Sequence, residues 1–144
     1  MNSIVISIGG SVLLSENIDN SYFSSLNNLI TETSKKLKIF LVVGGGKAAR
    51  SYIELGRRLN LTEKELDEIG VEITKINAKI ITKIITNSNV RIPDTTDEAK
   101  DMDYKIIVMG GTTPGHSTDY VGADLAEKTK AMKFIVATNV DGIY

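Results

Sequence analysis

Lys38-Ile39-Phe40-Leu41-Val42-Val43-Gly44-Gly45-Gly46 is an unbroken apolar run halted by three glycines. Such a run, continuous rather than alternating, reads as a strand buried on both faces, as in a parallel sheet covered by helices. Working outward, Ile4-Val5-Ile6-Ser7-Ile8 before Gly9-Gly10 and Lys105-Ile106-Ile107-Val108-Met109 before Gly110-Gly111 repeat the pattern. Phe134-Ile135-Val136-Ala137-Thr138 is the last strand expected, and Val90-Arg91-Ile92 ahead of Pro93 a weak fifth. Helical spacing fills the gaps over about 19–37, 47–59 and 118–130, and 94–104 reads as a loop or short helix. Thr62-Glu63-Lys64-Glu65 is a capping box that starts another helix, and Ile73, Ile76, Ile80 and Ile84 continue it past Gly70. Strands alternating with helices predict a three-layer α/β/α fold with a mainly parallel sheet, in one unit spanning residues 1–144 without repeats or linkers.

Composition narrows the function. The 144 residues are 42% apolar and 24% charged, which are globular values. Seventeen Lys and Arg against eighteen Asp and Glu give no positive field for nucleic acid or acidic membrane. With no Cys there is no disulfide framework, thiolate metal site or cysteine nucleophile. No apolar run reaches the roughly 18 residues of a membrane span, and Met1-Asn2-Ser3-Ile4 lacks the basic region of a cleaved signal. A cytoplasmic protein is expected.

The glycines carry the functional signal. Gly9-Gly10-Ser11, Gly44-Gly45-Gly46 and Gly110-Gly111-Thr112-Thr113-Pro114-Gly115 each follow a strand directly. In a parallel sheet they share one rim, where α/β sheets bind ligands. Glycine lets backbone amides approach a phosphate, and a helix start adds about half a positive charge. Tight turns alone also favour glycine; three such turns on one rim suggest several phosphates or two phosphorylated ligands. A Walker A loop is excluded, since Leu41 holds its first glycine position and Ala48 follows Lys47. Gly44-x-Gly46-x-x-Ala49 fits a dinucleotide pattern only loosely, because the acids nearest the expected spacing, Glu63 to Asp67, lie in a helical stretch.

Lys47 and Arg50 open a helix, where cations oppose the dipole unless an anion is bound; a solvated helix start is the alternative. Thr112, Thr113, Ser117 and Thr118 put hydroxyls beside the amides around Gly115, as an oxyanion site or a polar turn. Asp119 and Asp124 are ordinary acids of a helix start, or in the case of Asp119 a magnesium organiser. His116, the only histidine, reads as a loop residue near the ligand.

Ile8-Gly9-Gly10-Ser11-Val12-Leu13, Val43-Gly44-Gly45-Gly46-Lys47-Ala48-Ala49-Arg50, Met109-Gly110-Gly111-Thr112-Thr113-Pro114-Gly115-His116-Ser117-Thr118-Asp119 and Ala137-Thr138-Asn139-Val140-Asp141-Gly142-Ile143-Tyr144 together resemble the amino acid kinase superfamily. The loop from Gly110 to Asp119 is similar to that of its archaeal-type uridylate (UMP) kinase branch. The resemblance implies phosphoryl transfer from ATP to UMP, with Mg²⁺ accompanying ATP and no metal held by protein ligands alone. It implies that Gly45, Asp67, Thr112, Thr113, Pro114, Gly115, His116, Ser117 and Thr118 hold UMP, with Asp67 at the ribose. Gly9, Gly10, Gly46, Arg50, Thr138, Asn139 and Tyr144 would face ATP, and Lys47, Arg50 and Asp119 would serve the transfer. A homohexamer is implied as well.

The acceptor would be an anionic phosphate oxygen, so such a site needs charge neutralisation and in-line placement more than a base. Ser7 stands where many members of the superfamily carry a lysine. The family pattern also continues past Tyr144, so the chain is expected to be its front, acceptor-holding portion, without the part that closes over ATP. The competing readings are a kinase for another small acid or phosphate, such as isopentenyl phosphate, and a non-catalytic nucleotide-binding or oligomerisation module. The first is weakened because Ala48 to Ser51 offer no histidine.

Overall fold

In the computed structural model, residues 1–13 and 20–137 are described. The elements are β1 (Ser3–Ile8), α1 (Gly10–Leu13), α2 (Asn20–Ser34), β2 (Lys38–Val43), α3 (Gly46–Arg58), α4 (Glu63–Ile84), α5 (Thr96–Asp101), β3 (Ile106–Met109), α6 (Thr118–Thr129) and β4 (Lys133–Ala137). The strands pair in the order β3-β2-β1-β4, all parallel, with Ile4 opposite Ile39 and Lys133, and Ile39 opposite Ile106.

Side-chain alternation divides the core into two layers. Ile4, Ile8, Ile39, Leu41, Val43, Ile106 and Val108 pack against Ile30 of α2 and against Ala78 and Ile81 of α4. Val5, Phe40, Val42, Ile107 and Met109 pack on the opposite face against Ala99 of α5 and against Val121 and Leu125 of α6. The apolar runs of β1, β2 and β3 are continuous because both of their faces are covered, and the α/β/α layering is as expected.

One sequence expectation about the strands needs correction. Val90-Arg91-Ile92 forms no strand, and four strands are described instead of five. The reason is Asn89, which is buried at the β3 edge. Its Nδ2 donates to the carbonyl of Val108 (2.9 Å) and its Oδ1 accepts the Val108 N–H (2.7 Å), so one side-chain amide satisfies what a paired strand would. β4 is an edge strand of the described sheet, with Phe134, Ile135 and Val136 at 37–42% exposure. One helical turn, α1, begins at the second glycine of the first pair.

The capping box forms as read. The Thr62 hydroxyl accepts the Glu65 N–H (3.1 Å), and the Glu65 carboxylate accepts the Thr62 N–H (2.9 Å). α4 then runs unbroken through Gly70 to Ile84. Asp124, a candidate helix-start acid, instead ties α5 to α6: it accepts from Thr96 Oγ1 at 2.7 Å and pairs with Lys128 at 3.4 Å.

Candidate functional site

Parallel strands put all three glycine turns on one rim, and close packing joins them. A Cβ placed on Gly10 would stand 2.7 Å from Gly44 O and from Gly46 N, so the first turn lies directly against the second. Gly44 N–H donates to Ile8 O at 2.9 Å, extending the β1–β2 ladder into the turns. A Cβ on Gly110 would stand 2.7 Å from Thr74 C, so the third turn lies against the α4 backbone. Gly45 is right-handed (φ −84°, ψ −32°) and Gly46 left-handed (φ 61°) as α3 begins. Consecutive residues of those two hands gather successive amides into an anion-binding concavity.

Beside this turn is a cleft of about 480 Å³, within the range of small-molecule sites, roughly 300–1,000 Å³. Gly45, Gly46 and Arg50 line one wall, Asp67 of α4 another, and Gly115, His116, Ser117 and Thr118 a third. These predicted residues come from sequence positions far apart and meet at one opening. Lys47, Gly9, Gly10, Thr112, Thr113, Pro114 and Asp119 do not line it. Thr138, Asn139 and Tyr144 lie outside the described residues.

The loop before α6 is a closed turn: His116 N–H donates to Thr113 O at 3.2 Å, and Gly115 takes φ +90°. Ser117 caps α6, its Oγ accepting the Tyr120 N–H at 3.1 Å. The His116 ring lies against the Tyr120 ring at a centroid distance of 4.2 Å. One expectation for this loop is corrected: the Gly111 amide is not open to a ligand, because it donates to Thr74 Oγ1 at 2.6 Å.

Asp119 is on the other side of the loop, toward β1. Its Oδ1 accepts from Ser7 Oγ at 2.6 Å, and Ser7 is buried. The cleft therefore stands over the ends of β2 and β3, and the Ser7–Asp119 pair over β1, where the order β3-β2-β1-β4 switches direction. Among the described residues no group of three or more His, Cys, Asp or Glu is placed to hold a metal.

Sequence reading missed several lining residues: Ala49, Ile53, Gly70, Val71 and Thr74. Ala49 and Ile53 are apolar residues of α3 whose helical spacing reads as a core-facing side, which hides their place in the cleft lining. The signal that marks Thr74 is a polar residue on the sheet-facing side of an isoleucine-rich helix, followed one turn later by Asn77.

The fold and rim together define a class: an α/β protein with a cleft built beside glycine turns above a parallel sheet. The chain belongs to the Amino acid kinase family, whose signature matches residues 2–144. It is 45% identical over 144 residues to the uridylate kinase of Thermoplasma acidophilum, covering 99% of this chain and 62% of that protein. It is 44% identical to the uridylate kinase of Methanobrevibacter smithii, covering 98% of this chain and 64% of that one. The crystal structure of uridylate kinase from Archaeoglobus fulgidus superimposes with a TM-score of 0.90 at 41% identity, over 99% of this chain and 65% of that chain. UMP kinase from Ureaplasma parvum shares the fold, with a TM-score of 0.77 at 24% identity. The chain thus spans a little over three fifths of the length of the curated relatives it matches. No helix among the described residues is long and apolar enough to cross a membrane.

Proposed function

We propose that this chain holds the acceptor nucleotide in an ATP-dependent uridylate kinase, which transfers a phosphoryl group to UMP and yields UDP and ADP. The observation that carries the reading is the convergence of Asp67, Arg50 and the 115–118 loop on one cleft beside the Gly45-Gly46 turn. A nucleoside monophosphate offers matching chemistry: ribose hydroxyls for the Asp67 carboxylate, and a phosphate dianion for Arg50, the amides and the loop hydroxyls. The named relatives support the choice of uridylate among nucleotides.

Two anionic ligands brought together need positive charge and alignment, and Lys47 and Arg50 near the start of α3 supply charge at the rim. Gly9, Gly10, Gly46 and the Asp119 carboxylate would face the donor. Mg²⁺ fits as a companion of ATP. It typically binds through one or two carboxylates plus substrate phosphates and keeps its waters, and Asp119 is such a carboxylate. When bound, the ion would offset charge on the transferred phosphoryl group. The donor pocket, the cytoplasmic location and a hexameric assembly belong to this proposal for the whole protein.

Calorimetric titration of the chain with UMP, CMP and AMP tests the reading. UMP is expected to bind with the highest affinity, and equal indifference to all three would refute it.

A further inference from the structure

α4 carries two buried polar residues one turn apart, Thr74 and Asn77, on the side that faces the sheet. Each reaches a different glycine turn. Asn77 Nδ2 donates to the carbonyls of Gly44 and Gly45, both at 3.0 Å. Thr74 Oγ1 donates to Val71 O at 2.6 Å within the helix and accepts the Gly111 N–H at 2.6 Å. One helix face therefore fixes the second and third turns relative to each other.

The Asn77 contacts determine where amides point. There are no cis peptide bonds among the described residues. In a planar trans peptide the carbonyl of one residue and the N–H of the next point in opposite directions. Drawing the Gly44 and Gly45 carbonyls onto α4 therefore turns the Gly45 and Gly46 N–H groups away from it. That is the pair of residues whose right- then left-handed backbone gathers amides into a concavity. The Gly45 carbonyl also accepts the Ala49 N–H at 3.3 Å, so Asn77 shares that group with the start of α3. A glycine turn is pliable, and with the Asn77 tether gone the Gly44 carbonyl in particular could rotate toward the same space and repel an anion. We infer that Asn77 is a positioning residue for phosphate binding: its single amide group holds two carbonyls back so that two amides face the ligand phosphate. The inference rests on the uridylate-kinase reading. It adds a residue that touches no ligand itself and acts through the turn.

The test is a titration of isotopically labelled chain with UMP and, separately, with uridine, followed by NMR, for the unaltered protein and Asn77→Ala. Loss of the tether is expected to weaken UMP binding by roughly ten- to a hundredfold, the worth of one well-placed hydrogen bond to a charged group. Uridine affinity is expected to stay unchanged. UMP should move the Gly45 and Gly46 amide signals in the unaltered protein and much less in the variant, while the Asp67 signal still responds. A general structural weakening would reduce uridine and UMP binding alike, and that outcome overturns the inference. So does a variant that binds UMP as tightly as the unaltered chain with the same Gly45 and Gly46 response. Asn77→Ser serves if the alanine variant does not fold, because one hydroxyl cannot span two carbonyls, and the same split is expected. Failure of both variants to fold makes Asn77 a structural residue and also overturns the inference. If the unaltered chain binds no UMP, the uridylate reading itself fails, and that result is distinct from all the others.

Discussion

Gly9 and Gly10 are neighbours, yet a methyl group added at each has opposite consequences. On Gly9 a Cβ meets only Val12 Cγ2, at 3.9 Å, an ordinary contact. On Gly10 it stands 2.7 Å from Gly44 O, 2.7 Å from Gly46 N and 2.8 Å from Gly45 C. All three are backbone atoms of the second turn, which Asn77 and the Gly44–Ile8 hydrogen bond hold in place. Relieving the carbon–carbon contact alone, from 2.8 Å to the comfortable ~3.5 Å, needs a shift of roughly 0.7 Å. Overpacking of that kind costs about 1–3 kcal/mol. Both substitutions also restrict the unfolded chain, which stabilises by about 0.4–1 kcal/mol. That gain is common to the pair, so the overpacking cost alone separates them. Gly9→Ala should be neutral to slightly stabilising, and Gly10→Ala should fall about 1–3 kcal/mol below it. Urea unfolding followed by far-ultraviolet circular dichroism reads the difference. With a slope of about 1–3 kcal/mol/M for a chain of this size, the midpoints should differ by on the order of 1 M. Coincident midpoints, or a less stable Gly9→Ala, would show that the first two glycine turns are not packed back to back.

Two further outcomes concern stability. Asn89→Leu leaves the Val108 N–H and carbonyl without their side-chain partner at the β3 edge, and should cost roughly 2–6 kcal/mol at about 1–3 kcal/mol per buried group; an unfolding free energy unchanged within error would discount Asn89 as a strand substitute. The Thr62 backbone N–H, and secondarily its side chain, hold the Glu65 carboxyl below its ordinary pKa. The stability this contributes is complete above the ordinary carboxylate range and is lost as pH falls through the lowered value. Glu65→Gln keeps an acceptor but cannot titrate, so the two proteins should differ in melting temperature near neutrality and converge in acid. A difference that does not change with pH would remove the ionised capping box.

The sequence made the sheet legible because strands covered on both faces must be continuously apolar, and the parallel arrangement then put every strand-end glycine on one rim. Chemistry concentrated in local loops could be read as well: Arg50, Gly45 and the 115–118 segment all reach the cleft. What stayed hidden depended on partners distant in sequence. Asn89 looks like a loop residue until its amide is found pairing with Val108, 19 positions away. Asn77 and Thr74 interrupt an isoleucine stripe, and helical periodicity has no means of saying that their partners are glycines more than 30 residues removed. Thr112 and Thr113 look like the donors of the third loop, but a turn closed by the His116–Thr113 bond sets them outside the cleft lining.

The packing of α6 bears on why a serine suits position 7, where the superfamily resemblance leads one to expect a lysine. Gly122 brings this helix close to the sheet: a Cβ there would stand 2.7 Å from Phe134 Cε1 and 3.4 Å from the Ser7 Cβ. Ser7 itself is 1% exposed. Little room remains between β1 and α6 for a long side chain in that arrangement, whereas a hydroxyl fits and finds a partner in Asp119, one turn before Gly122. The contact ties the start of α6 to the centre of the sheet, so the loop lining the cleft hangs from a helix whose first turn is anchored. An ammonium ion at position 7 would contribute charge from beneath the rim. Here the cations of the rim belong to α3, on Lys47 and Arg50, which follow the Gly45-Gly46 turn directly. Charge in this chain is therefore linked to the turn that presents the amides, and a displacement of that turn moves both donors and cations together. That coupling makes its tether to Asn77 more consequential than a single buried hydrogen-bonding side chain would ordinarily be.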